Sequence, residues 1–356
     1  MNTKPPVEQK ANRRRQGGRT ILDVAERAGV SPMTVSRVIN GEKNVREATR
    51  VRVQAAIDEM AYAPNPAARS LARADARRIG MLYSNPSAAY LSEFLLGGLD
   101  QCSRLSIQLV VERCETEAEQ IAAVERLVES GVGGVLLPPP LCDSASVVER
   151  LHRAGLPAVA VASGSPLPTV SAIRIDDFHA AKVMTRHLIA LGHRRIGFVK
   201  GEPDQTASGL RHAGFVDAME SAGLEVEERL VVQGHFTYHS GLDAADQLLS
   251  LRRRPTAIFA SNDDMAAAAV AVAHRQGLDV PKDITVVGFD DTALATTVWP
   301  PLTTIRQPVA EMSRDAVLML AEAMRLEAEG KAPAIARELV DFALVRRQSD
   351  GRPPTP

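Results

Sequence analysis

The chain has 356 residues, 45% hydrophobic and 24% charged, which is ordinary globular composition. That length suggests two or three domains and sets aside fibrous, collagenous and wholly disordered readings. Apolar stretches such as AAAAVAVA over 266–273 fall far short of the roughly 18 residues that a membrane span needs. The polar start MNTKPPVEQKANRRR has no secretory apolar run, so the expectation is a cytoplasmic protein without a membrane partner. Cys102, Cys114 and Cys142 are an odd set without metal-like spacing, which fits a reducing compartment. The net charge of −1 conceals an asymmetry: residues 1–78 hold 16 Lys and Arg against 8 Asp and Glu, and the remainder holds 26 against 35. A basic head on an acidic body suits a head that meets a polyanion, with a self-solvating basic segment as the competing reading.

In chain order, residues 1–18 are rich in Pro, Gln, Asn and Arg without an apolar period, and read as a disordered basic arm. Thr20 then precedes Ile21, Val24, Ala25 and Ala28 at helical spacing, with Asp23 placed for a capping-box-like start. Gly29 permits a chain reversal, and Ser31 and Pro32 restart a helix as N-cap and first position. This second helix turns Val35, Val38 and Ile39 inward and ends at Asn40-Gly41; a third begins near Arg46 or Glu47 and buries Val53, Ile57 and Met60. Helix, short glycine turn, short helix and third helix make the helix-turn-helix layout, whose second helix enters the major groove with its N-terminal residues. Those are Pro32, Met33 and Thr34, then Ser36 and Arg37. Thr34 and Arg37 can bond bases or phosphates, whereas Pro32 and Met33 can read only shape or thymine methyls. A three-helix protein-binding module is the alternative.

The segment from Thr20 to Ala72, with its core DVA-x-x-AGVS-x-x-TVSRV-x-N, closely resembles the amino-terminal part of the lactose-repressor/galactose-repressor family of transcription regulators. The resemblance implies a helix-turn-helix domain over 19–64 and a hinge helix and linker over 65–76. It implies DNA contacts from Thr20, Ser31, Pro32, Met33, Thr34, Ser36, Arg37, Asn40, Asn44 and Tyr62, and from Asn65, Ala68 and Leu71 in the hinge. Leu71 holds the position of a leucine that wedges into the minor groove, and an apolar wedge there unstacks a step and bends the duplex; a core leucine is the alternative.

From Ile79 on, IGMLY, IQLVVE, GGVLLPP, PAVAVA, RRIGFVK, TAIFAS and ITVVGFD read as buried strands. Between them lie helical stretches at 92–104, 118–129, 178–191 and 263–276. The alternation argues an α/β fold of parallel sheets flanked by helices, and about 265 residues exceed one such unit, so two lobes are expected. RRIGF, LRHAGF, SNDDMA, ITVVGFDD and PPLTTIRQP resemble the effector core of the same family, which is similar to periplasmic sugar-binding proteins. The expected core spans 77–347, with one lobe from 77–175 and 307–333, the other from 176–306 and 334–347, and a disordered tail over 348–356.

Ligands of such sheets sit beyond the carboxyl ends of the strands. The family motifs imply sugar-hydroxyl contacts from Arg211 and Asp290, Asn262 beside them, and Phe236 as a stacking aromatic. Tyr83, Tyr90 and Phe94 are candidates from the first lobe, or core residues. After the PAVAVA strand, where some sugar-binding members place an acid, this chain has Ala162 and Ser163.

No dinucleotide, P-loop, nucleophile-elbow or metal motif is present, so the expectation is no enzyme, no cofactor and no metal. His187, His193 and His212 read as surface or interface residues. A transport-type sugar binder shares the body but not the basic head. The resulting expectation is a transcription regulator, a repressor, that binds a pseudo-palindromic operator in double-stranded DNA. One such head reads too few base pairs, so a two-fold homodimer is expected, with no apolar heptads after Arg347 of the kind tetrameric family members have, and with a response to a small sugar-like effector.

Overall fold

A computed structural model of the chain describes residues 21–39, 45–60 and 78–354, and resolves it into two units, 1–74 and 75–356. In the first unit, α1 (Ile21–Ala28), α2 (Pro32–Ile39) and α3 (Glu47–Glu59) enclose Val24, Ala25, Ala28, Val35, Val38, Val53 and Ala56. Ile57 and Met60 are half-buried against this core. Gly29 turns the chain between α1 and α2 with φ +63°, a conformation that costs a side-chain-bearing residue energy. Ser31 caps α2 by accepting from the Thr34 amide at 3.2 Å, and the two hydroxyls hydrogen-bond at 2.9 Å. The arm, Thr20, Asn40, Asn44, Tyr62 and the hinge residues Asn65, Ala68 and Leu71 lie outside the described residues, as do the side chains of Met33, Ser36 and Arg37.

The second unit holds two six-stranded sheets. The first contains β1 (Arg78–Tyr83), β2 (Gln108–Arg113), β3 (Val135–Leu137), β4 (Ala158–Val161), β5 (Ser171–Arg174) and β11 (Arg337–Leu339), in the order β11-β5-β4-β3-β1-β2 and all parallel. The second contains β6 (Ile196–Lys200), β7 (Val231–Gln233), β8 (Ala257–Ala260), β9 (Thr285–Asp290), β10 (Thr303–Arg306) and β12 (Ala343–Val345), in the order β12-β10-β9-β8-β6-β7, with only β12 antiparallel. Central strands such as β8 and β9 are buried along their whole length because helices cover both faces, which is why AIFA and the VVGF of β9 stand out as apolar runs.

The helices covering the first sheet are α4 (Ala88–Leu105), α5 (Glu117–Glu129), α6 (Ala145–Arg153) and α12 (Val309–Ala328). Those of the second are α7 (Asp177–Ala190), α8 (Thr206–Ser221), α9 (Tyr238–Leu249), α10 (Asp263–Arg275) and the short α11 (Leu294–Thr297). Between α4 and α12 the packing is close enough that a methyl group on Gly97 would sit 2.0 Å from the Ala310 carbonyl oxygen. Phe198, Phe215 and Phe259 form the aromatic centre of the second lobe, with centroids 4.7 and 5.2 Å apart.

Two boundaries differ from expectation. Residues 334–347 do not all belong to the second lobe, because β11 pairs in parallel with β5 of the first sheet and the Val340 amide bonds the Arg174 carbonyl. The open edge of β5 takes up these peptide groups before the chain crosses to β12. The chain therefore passes between lobes three times, near 175, 306 and 341.

The segment 348–354 is not a free tail either. Ser349 is fully buried, accepts from the Thr303 amide and donates to the Val286 carbonyl; Asp350 bonds Thr303 and His187. His193, expected at the surface or an interface, is buried and donates to the Gly351 carbonyl at 3.0 Å, with its other ring nitrogen bonded to Thr256. Burial holds its imidazole below the ordinary pKa. His187 is likewise half-buried against Asp350, and His212 lies 5.5 Å from the Phe198 ring. Polar side chains, not an apolar run, pin this segment.

Candidate functional site

Each sheet reverses its strand order beside its first strand, between β1 and β3 and again between β6 and β8. Crevices at such switch points, beyond the carboxyl ends of the strands, are where open α/β sheets bind ligands. Here both sets of strand ends face one cleft between the lobes. Asn85, Ser87 and Tyr90 follow β1, Pro139 follows β3 and Ala162 follows β4; Gln205 and Arg211 follow β6, Phe236 follows β7 and Asn262 follows β8. Asp290 ends β9, and Gln307 follows β10 at the crossover between lobes. These residues line a narrow cleft with about 30 Å³ of free space in this conformation, below the roughly 300–1,000 Å³ of small-molecule sites.

Arg211 is the centre of the polar network and only 4% exposed. Its Nε donates to Asp177 at 2.8 Å and its Nη1 to the Ser261 carbonyl at 2.6 Å; Asp290 lies 3.5 Å from Nη1. The guanidinium lies over the face of Phe289 at 3.7 Å from its centroid, with Phe236 at 5.7 Å. Burial raises the Asp290 pKa to about 7, with the Arg211 charge and a 2.6 Å bond from Gln307 opposing that rise. Burial raises Asp177 for the same reason, against the pull of Arg211.

Five non-glycine residues have positive φ among the described residues. Ala162, Phe236 and Asp290 line the cleft and Asp291 follows directly, a clustering typical of strained backbone held at a functional site.

The sequence candidates separate into two groups. Arg211, Asp290, Phe236, Asn262 and Tyr90 all reach the cleft. The Asn262 side chain is engaged structurally: it accepts from the Met265 amide as N-cap of α10 and donates to the Phe236 carbonyl at 2.9 Å, so it shapes the site by fixing the aromatic's backbone. Tyr83 and Phe94 do not line the cleft. Phe94 lies one turn beyond Tyr90 on the same face of α4 and is buried in the core, and Tyr83 packs against that core from the end of β1. Asn85, Ser87, Gln205 and Gln307 were missed. Being neutral polar residues without a motif of their own, they could be found only by following each strand to its end.

Two polar latches cross the cleft. Ser87, the N-cap of α4, donates to Asp264 of the other lobe at 2.5 Å. Asp143 of the first lobe accepts from the Thr206 amide and hydroxyl, each at 2.9 Å, at the start of α8. Tyr90 Oη and Gln307 Oε1 remain buried without a hydrogen-bond partner. Buried polar groups without partners are uncommon and costly.

The comparisons agree with this geometry. Residues 20–65 match the model of "Bacterial regulatory proteins, lacI family", and residues 185–349 match a "Periplasmic binding protein-like domain". The repressor PurR of Photobacterium profundum is 35% identical over 309 residues, 86% of this chain and 92% of that protein. The chain belongs to the lacI family of bacterial regulators. Two solved structures extend the match. A transcriptional regulator CelR–cellobiose complex aligns with TM-score 0.69 and 33% identity over 93% of this chain and 99% of that one. The lac repressor dimer bound to operator and the anti-inducer ONPF aligns with TM-score 0.67 and 29% identity over 94% and 99%.

As a lacI-family regulator the chain has a DNA-binding head, α1 to α3, and a ligand-binding core carrying the cleft. In the head, Ser31 and Pro32 are exposed at the start of α2, while Thr34 is half-buried and bonded to Ser31. Among the described residues no helix is long and apolar enough to cross a membrane, and no group of side chains forms a metal site.

Proposed function

We propose that the chain is a homodimeric repressor that binds a pseudo-palindromic operator, acts in the cytoplasm, and is controlled by a small sugar-like effector in the cleft. The observation that carries the effector reading is the convergence of strand ends from both lobes on Arg211 and Asp290, beside buried polar atoms that lack partners. A polyol supplies the donors and acceptors those atoms require, and Phe236 offers a face for its ring. The likeness to a regulator bound to cellobiose supports the same class.

On the DNA side, Thr20, Ser31, Thr34, Ser36, Arg37, Asn40, Asn44 and Tyr62 act at phosphates and base edges, Pro32 and Met33 read shape and methyl groups, and Asn65, Ala68 and Leu71 act at the minor groove. One such head reads too few base pairs alone, which favours a two-fold dimer. Exposed apolar side chains are consistent with the dimer: Leu96 and Leu99 on α4 and Val111 on β2 in the first lobe, with Trp299 73% exposed in the second.

The test is binding to duplexes selected from a random pool. The full chain enriches a pseudo-palindrome whose affinity falls about 10³-fold or more between 50 and 200 mM salt, if six or more phosphates are contacted. A chain lacking residues 1–78 loses that binding. Retention of operator binding by the truncated chain would refute the assignment.

A further inference from the structure

We infer that the cleft takes an uncharged polar ligand and rejects phosphorylated or carboxylated forms of the same molecule, with Gln205 setting that selectivity. This rests on the cleft being the effector site, and three observations on the charges around it support it.

First, Arg211 and Asp290 are the only charged side chains among the lining residues. The guanidinium already faces two carboxylates, Asp177 at 2.8 Å and Asp290 at 3.5 Å, and a third, Asp264, lies behind Ser87. An anionic ligand would find no free cation there. It would also raise further the already elevated pKa of Asp290.

Second, the helix N-termini at the cleft, which elsewhere attract phosphate, are already capped by the chain's own side chains. Asp143 takes the Thr206 amide at the start of α8. Ser87 and Asn262 accept the Tyr90 and Met265 amides at the starts of α4 and α10, while Asp264 accepts from the Ser87 hydroxyl and adds negative charge with Asp263 in the first turn of α10. These amides are therefore not free for a phosphate, and the acids beside them repel one.

Third, the atoms left for a ligand are neutral or acidic. Tyr90 Oη and Gln307 Oε1 lack partners. Gln205 stands at the N-cap position of α8 without capping it, is 6% exposed, and lines the cleft. Its amide offers a donor and an acceptor without charge. It directly precedes α8, so a cation placed there would supply what an anion lacks.

The full-length chain is tested by thermal shift and calorimetry with D-ribose, D-glucose, cellobiose and adenosine against ribose 5-phosphate, glucose 6-phosphate, cellobionate and adenosine monophosphate. An uncharged probe binds, and its charged counterpart binds about tenfold to a hundredfold more weakly, as expected for an anion left without a partner. Gln205→Lys narrows or inverts that ratio, whereas Gln205→Met weakens the uncharged probe without admitting the charged one. A charged probe binding as tightly as its counterpart overturns the inference and leaves the effector site standing. An unchanged ratio in Gln205→Lys overturns the role of Gln205. Binding by none of the eight overturns the sugar-like reading of the cleft and the inference with it.

Discussion

Tyr90 separates a side chain held for a ligand from one held for packing. Its ring is buried on α4 and its hydroxyl has no partner, with burial raising its pKa well above the ordinary value. A buried hydroxyl without a partner costs about 1–3 kcal/mol. Tyr90→Phe should therefore leave the ligand-free chain as stable as before or more so in urea unfolding, while weakening the effector about tenfold through the lost hydrogen bond. A loss of stability with unchanged ligand affinity would make Tyr90 a core residue. Arg211 cannot serve for this test, because its removal leaves Asp177 buried and unpaired, a change that costs about 3–5 kcal/mol by itself. At this scale the apolar strands led to Arg211 and Asp290, and Phe236 came from the family resemblance alone. The sequence did not separate Tyr90 from Phe94: the two share a helix face, and only the depth of α4 in the fold divides them.

Among the elements, strands carried by an apolar run were legible even when short. β3, β4 and β8 have only three or four residues but are apolar throughout, and β9 shows itself by VVGF, whereas β5, β7, β10 and β11 each carry polar residues and β12 is three residues alone. In β10 the sequence TTIR hides a strand whose threonines are buried because they bond Asp263, Arg347 and Asp350. The C-terminal segment was illegible for the same reason. Its partners are polar and distant in sequence: Thr285, Thr303, His187 and His193. Truncation after Arg347 is accordingly expected to destabilise the body by several kcal/mol, since each buried hydrogen-bonding group left unsatisfied costs about 1–3 kcal/mol. Urea unfolding measures this directly, and an unchanged midpoint would mean that the segment merely rests on the surface.

For the whole molecule, the charge asymmetry and the two kinds of periodicity divided the chain correctly into a three-helix head and an α/β body. They did not determine which lobe takes β11, because a crossing strand is chosen by the open sheet edge it meets. A regulator of this architecture must transmit occupancy of the cleft to the operator, and a ligand can do so only by favouring one state of the body over another. The most direct measurement is operator affinity of the full chain, at one fixed salt concentration, with and without a saturating amount of the uncharged probe that most raises its melting temperature. The expected result is a change of about 5–150-fold, the usual size of allosteric coupling. A probe that fills the cleft and leaves operator affinity unchanged would contradict control of the operator through this site.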